Sequence, residues 1–120
     1  MITEEVKKII EENAVAFATV GKDGNPHCVA VGDARVVSKN GILIGSIFLK
    51  ETVKNIKNNN NVSLAVWNKD WERECIGYEL KGKAEYFSSG KWLEKVKQIH
   101  KGFSPKGAIL ITISKIKKLA

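Results

Sequence analysis

Residues 75–87 constrain the fold more tightly than any other part of the chain. Ile76, Tyr78, Leu80, Ala84 and Tyr86 fall on one side of a period of two, with Glu79, Lys81, Lys83 and Glu85 on the other. An extended strand sends successive side chains to opposite faces, so this run has one buried and one solvated face, the pattern of antiparallel sheet. Six further runs read as strands, at residues 15–20, 27–31, 34–37, 42–44, 62–67 and 108–113. Three segments carry the helical spacing instead. The first has Ile2, Val6, Ile9 and Ile10 behind a Thr3 cap and ends at Asn13 or Ala14; the second has Leu49, Val53 and Ile56; the third has Trp92, Val96 and Ile99 after a cap at Ser88 or Ser89. Strands and helices do not alternate regularly, so a doubly wound parallel sheet is disfavoured. The expected fold is mainly β, of the α+β kind: one small antiparallel barrel of about seven strands with three short helices, a single domain over residues 1–120.

Residues 40–62 carry the clearest functional signal. Asn40 and Gly41 form the pair preferred in two-residue hairpin turns, where both residues take positive φ. The strand that follows passes through Gly45 and Ser46 into the second helix, which opens on Lys50, Glu51 and Thr52. Free N–H groups and the helix dipole converge at such a start and suit an anion, so the stretch reads as a phosphate grip. The plainer alternative makes Thr52 a cap, Lys50 a solvated charge and Ser46 a turn residue. The amide run from Asn58 to Asn61 reads as a helix end. Gly32 interrupts a strand pattern, which marks either a bulge or a neighbour of a ligand. Ala14, Ala16, Ala18 and Ala30 leave room for another layer or a flat ligand, and Trp71, in a charged loop, is expected to cover something.

Charge narrows the partners. Residues 1–90 hold twelve Lys or Arg against twelve Asp or Glu, whereas residues 91–120 hold eight Lys against Glu94 alone, which accounts for the net +7. The basic tail, residues 115–120, is read as following the last strand. Such an excess suits solubility or an anionic cofactor, with oligonucleotide binding as the alternative. Cys28 and Cys75 lie in strand-like runs with no metal-ligand spacing, so both are expected to be small buried hydrophobes. No apolar run is long enough to cross a bilayer and no signal peptide is evident, so the expected location is the cytoplasm. His27 and His100 have no partner that the sequence identifies, and neither the dinucleotide glycine fingerprint nor the P-loop is present. No catalytic residue or metal set stands out, so any redox chemistry must belong to a cofactor.

Taken in order, the first helix, the "AVAFATVGKDGNPHCVAV" hairpin, the "NGILIGS" strand, "KETVKNIKNNNNVSLAV" and "LKGKAEY" resemble the FMN-binding split-barrel family, the pyridoxamine-phosphate-oxidase-like flavoproteins. The resemblance covers nearly the whole chain. It implies FMN with its phosphate at Lys50, Thr52 and Ser46, Asn55 organising the helix, and the ring against Val31 and Gly32. It also implies a homodimer with flavin at the seam, where Trp71 would serve as a cover. Related proteins often place Lys directly before the Thr, and this chain has Glu51 there, so Lys50 or Lys54 would supply the counter-charge. Within such a fold a deazaflavin or haem is the alternative ligand. Pyridoxamine-phosphate oxidases continue into a C-terminal segment bearing basic substrate-binding residues. This chain stops soon after its last strand, so it is expected to act in electron transfer or as a small flavin-dependent oxidoreductase and not as such an oxidase.

Overall fold

The computed structural model describes residues 1–119. In chain order it holds α1 (Glu4–Glu12), β1 (Val15–Val20), β2 (Pro26–Val31), β3 (Arg35–Val36), β4 (Gly41–Ser46), α2 (Lys50–Asn58), β5 (Asn61–Trp67), β6 (Gly77–Phe87), α3 (Lys91–Ile99) and β7 (Gly107–Lys118). Helix α1 begins where Thr3 Oγ1 accepts the Val6 N–H at 3.2 Å, with Glu4 and Glu5 at its positive end. It buries Val6, Ile9 and Ile10 and stops at Asn13, whose side chain donates to the Ile9 carbonyl at 2.8 Å.

The seven strands form one antiparallel sheet in the order β2-β1-β5-β6-β7-β4-β3. The sheet curls until its inner face encloses Val15, Phe17, Ile42, Ile44, Leu64, Leu80, Ile109 and Ile111. Its two edge strands, β2 and β3, do not pair, so the barrel stays split. The long β6–β7 ladder bends at a register shift beside Lys81 and Gly82. Ser114 is the extra residue there, and its hydroxyl donates to the Lys81 carbonyl at 3.2 Å. Gly82 sits so close to the Thr112 carbonyl that any Cβ would collide with it.

Four local expectations are corrected. The hairpin between β3 and β4 forms, but Asn40 and Gly41 do not make its turn with positive φ; among the described residues none other than glycine has positive φ, and Gly41 is not among the glycines that do. The turn runs from Ser38 to Gly41, and the Asn40 carbonyl is claimed by the Ile113 N–H at 2.7 Å, which holds Asn40 to the neighbouring strand. Helix α3 is capped by Gly90, at φ 94°, and not by Ser88 or Ser89. Both cysteines are exposed. Cys28 lies on the outer face of an edge strand, and Cys75 precedes β6 in a loop. The lysines expected as a tail are instead part of β7, with Lys115 opposite Lys81 and Lys117 opposite Glu79, while Ala120 lies outside the described residues.

Candidate functional site

The first turn of α2 separates two depressions. Its N-cap is Leu49, which has no side-chain cap, so the leading amides of the helix are left for an outside acceptor. Thr52 is therefore not the cap but stands inside the first turn, fully buried, with its hydroxyl lacking any partner among the described residues. Asn55, 6% exposed, donates from Nδ2 to Thr19 Oγ1 at 3.0 Å and ties α2 to β1. The buried face of α2 thus holds two polar residues beside Ile56, while Val53 and Leu49 are only partly buried.

On one side lies a polar groove of about 720 Å³ between α2 and the β1–β2 loop. Lys22, Lys50 and Lys54 bring positive charge to it, and Asp23 and Glu51 bring negative charge. Each acid is already engaged. The Asn25 backbone N–H and side-chain amide donate to Asp23 and hold its carboxyl below the ordinary carboxylate range. Glu51 pairs with His27 Nδ1 across the groove. This is the partner for His27 that sequence reading missed, because strand and helix meet only in the fold.

On the other side is a cavity of about 320 Å³ whose walls include Val31, Gly32, Ile47 and Leu49. Phe48 and Phe103 also line it, although they are 93% and 65% exposed. Two polar side chains line it as well, and they stand together: His100 Nε2 is 3.2 Å from Asp33 Oδ2, with the side chains 17% and 24% exposed. The same Asp33 oxygen accepts the Gly45 N–H at 2.9 Å. A Cβ on Gly45 would lie 2.7 Å from Val96 Cγ1 and 3.0 Å from Asp33 Oδ2, so only glycine lets α3 and Asp33 approach together.

The residues singled out from the sequence therefore divide. Val31 and Gly32 line the apolar cavity, and the space beside Gly32 is open. Lys50 and Asn55 line the polar groove. Ser46, 5% exposed at the end of β4, and Thr52 are buried near the junction and line neither depression. Trp71, 46% exposed, rests near Gly77 in the β5–β6 connection, apart from both. The reading missed Asp33, His100, Phe48 and Phe103, which come from three separate segments.

An anionic group with a flat ring suits this arrangement. The groove supplies uncapped helix amides and the Lys50 and Lys54 ammonium groups, and the unpartnered Thr52 hydroxyl stands in the same turn. The cavity supplies apolar walls of a size suited to a small ring system. Among the described residues no group of three His, Cys, Asp or Glu could hold a metal ion, and no helix is long and apolar enough to cross a membrane.

Comparison with known proteins places the chain. An uncharacterised protein of Methanocaldococcus jannaschii is 36% identical, matching 98% of this chain and 80% of its own length. Among solved structures, HupZ of Group A Streptococcus superimposes with a TM-score of 0.91 at 26% identity, covering 99% of this chain and 94% of that one. An FMN-binding protein of Syntrophomonas wolfei shares the fold, with a TM-score of 0.85 at 16% identity over 98% of this chain and 85% of that one. The family model for pyridoxamine 5'-phosphate oxidase matches residues 2–120, and the chain belongs to that family.

Proposed function

We propose that this protein binds FMN, with the phosphate at the first turn of α2 and the ring against Val31 and Gly32, and works in electron transfer or as a small flavin-dependent oxidoreductase. One observation carries the reading: an uncapped helix start with Lys50 and Lys54 beside it adjoins an open apolar cavity, so one ligand with a charged end and a flat end spans both. The FMN-binding protein of the same fold supports it. Lys50 and Lys54 neutralise the phosphate, the leading amides of α2 donate to it, and Asn55 holds the helix in place through Thr19. When bound, FMN supplies reversible one- and two-electron chemistry. The chain's own residues bind and orient it and shield the ring from water.

The proposal includes a homodimer in the cytoplasm with the flavin at the seam. Ala16 lies between Ala30 and Ala65, and Ala18 between Cys28 and Ser63, so the outer face of β2-β1-β5 is built of small side chains that a second layer can approach closely. A partner there also gives Trp71 a role that it lacks in the single chain. The test is to titrate the apoprotein with FMN and measure its mass by light scattering. Yellow protein of twice the chain mass is expected. Protein that takes up a deazaflavin or haem but no FMN would contradict the cofactor, and a monomer that holds FMN fully would contradict the shared site.

A second reading has its own observation. Lys81 and Lys115 face each other across β6 and β7, and like charges in that position repel unless an anion lies over them. An oligonucleotide is the competing occupant of that face. Salt-sensitive oligonucleotide binding lost in a Lys81→Gln, Lys115→Gln variant that keeps FMN would favour it.

A further inference from the structure

His100 and Asp33 form a polar pair beside Gly45. It stands between α3 and the β2–β3 connection, where two apolar side chains would pack without desolvating charge. It lines the cavity whose other walls are apolar. Asp33 is fixed independently by the Gly45 N–H at 2.9 Å, and Gly45 has no room for a Cβ because of it and Val96. Nε2 stands 3.2 Å from that fixed carboxylate, which places the imidazole beside it, and Nδ1 makes no hydrogen bond among the described residues. A neighbouring group that orients one ring nitrogen leaves the other to serve a ligand. The exposed Phe48 and Phe103 point to the same conclusion, since large apolar side chains at the mouth of a cavity suit a flat apolar surface laid against them.

We propose that His100, positioned by Asp33, is the polar contact for the flavin ring, meeting the ring's N–H or carbonyl edge while Val31, Leu49, Phe48 and Phe103 take its faces. This inference rests on the flavin reading and adds to it a residue for the ring. Asp33 excludes the phosphate from this cavity, because a carboxylate repels it. The two depressions therefore sort the two ends of one ligand: the lysine-lined groove takes the charged end and the His100 cavity the neutral, planar end.

The probe is lumiflavin, the flavin ring with a methyl group in place of the phosphate-bearing chain. It is titrated, alongside FMN, into the wild-type protein and the His100→Phe, His100→Gln and Asp33→Asn variants. The readouts are affinity and the position of the ring's visible absorption band; circular dichroism verifies folding. We expect His100→Phe to weaken lumiflavin by about tenfold, the loss of one good hydrogen bond, and to move the band. His100→Gln, whose amide restores a hydrogen bond, should stay within about threefold of wild type. Asp33→Asn should move the band with His100 still in place, an effect that packing alone would not produce. Unchanged lumiflavin affinity and band in the folded His100 variants would overturn the inference while wild-type FMN binding left the function standing. Should His100→Phe not fold, His100→Gln and Asp33→Asn decide by the same band. Failure of the wild type to bind either flavin would overturn both proposals.

Discussion

The two depressions beside α2 share a wall and differ in almost everything else. The groove is polar and built from two short stretches, the β1–β2 loop and the start of α2. The cavity is apolar and assembled from the β2–β3 connection, the β4–α2 connection and the end of α3. A grip for charge can be made locally, because a helix start already supplies donors and a dipole. A seat for a flat ring needs walls on several sides, and walls come from distant parts of a chain.

The largest expected effect sharpens the claim that the cavity depends on close approach. Gly45→Ala puts a methyl group 2.7 Å from Val96 Cγ1 and 3.0 Å from Asp33 Oδ2. Stability should fall by about 1–3 kcal/mol in urea unfolding, the usual cost of overpacking. A fully stable variant would show that α3 has more freedom here than the packing implies.

On the groove side the comparable change is Asn55→Ala. It removes the bond to Thr19 and leaves a buried hydroxyl unpaired, at a cost of about 1–2 kcal/mol in the same measurement. It also loosens the helix that carries the grip, so FMN should weaken along with stability. Loss of stability with FMN affinity intact would separate the helix from the binding site.

Removing the charges tests the groove alone. Lys50→Ala with Lys54→Ala should weaken FMN by about tenfold at low salt, since both lysines are exposed and screened. Lumiflavin binding should not change, because the cavity contains neither lysine. A matching loss for both ligands would erase the division between the two regions.

The smallest expected effect concerns Glu51, the departure from the family's usual lysine. Its pairing with His27 leaves the negative charge in the groove but engages it with the imidazole. Glu51→Gln should tighten FMN by only about two- to threefold, the range of an exposed charge near a helix start. A much larger gain would mean that Glu51 faces the phosphate directly.

The same contrast explains what was legible in the sequence. All seven strands and α1 could be read because their signals are local: alternation in β6, and Thr3 followed by Glu4 and Glu5 in α1. That Lys50, Thr52 and Asn55 share one helix was legible for the same reason, since they lie within two turns of each other. The Asn40–Gly41 turn misled because Ile113 holds Asn40 in register with β7, and a tertiary bond outweighed a local preference. His27 and His100 looked isolated because Glu51 and Asp33 come to them only through the sheet. Cys28 was misread because alternation alone does not say which face of an edge strand is covered, and Cys75 because the strand begins only at Gly77 and leaves it in the preceding loop.

The central claim is that one ligand uses both regions, its phosphate in the groove and its ring in the cavity. The most direct test is the ratio of FMN to riboflavin affinity, measured by flavin fluorescence on the wild-type apoprotein at one salt concentration. A preference for FMN of about tenfold or more, abolished in the Lys50→Ala, Lys54→Ala variant, is the result this account predicts. Equal affinity for the two flavins in the wild type would contradict it.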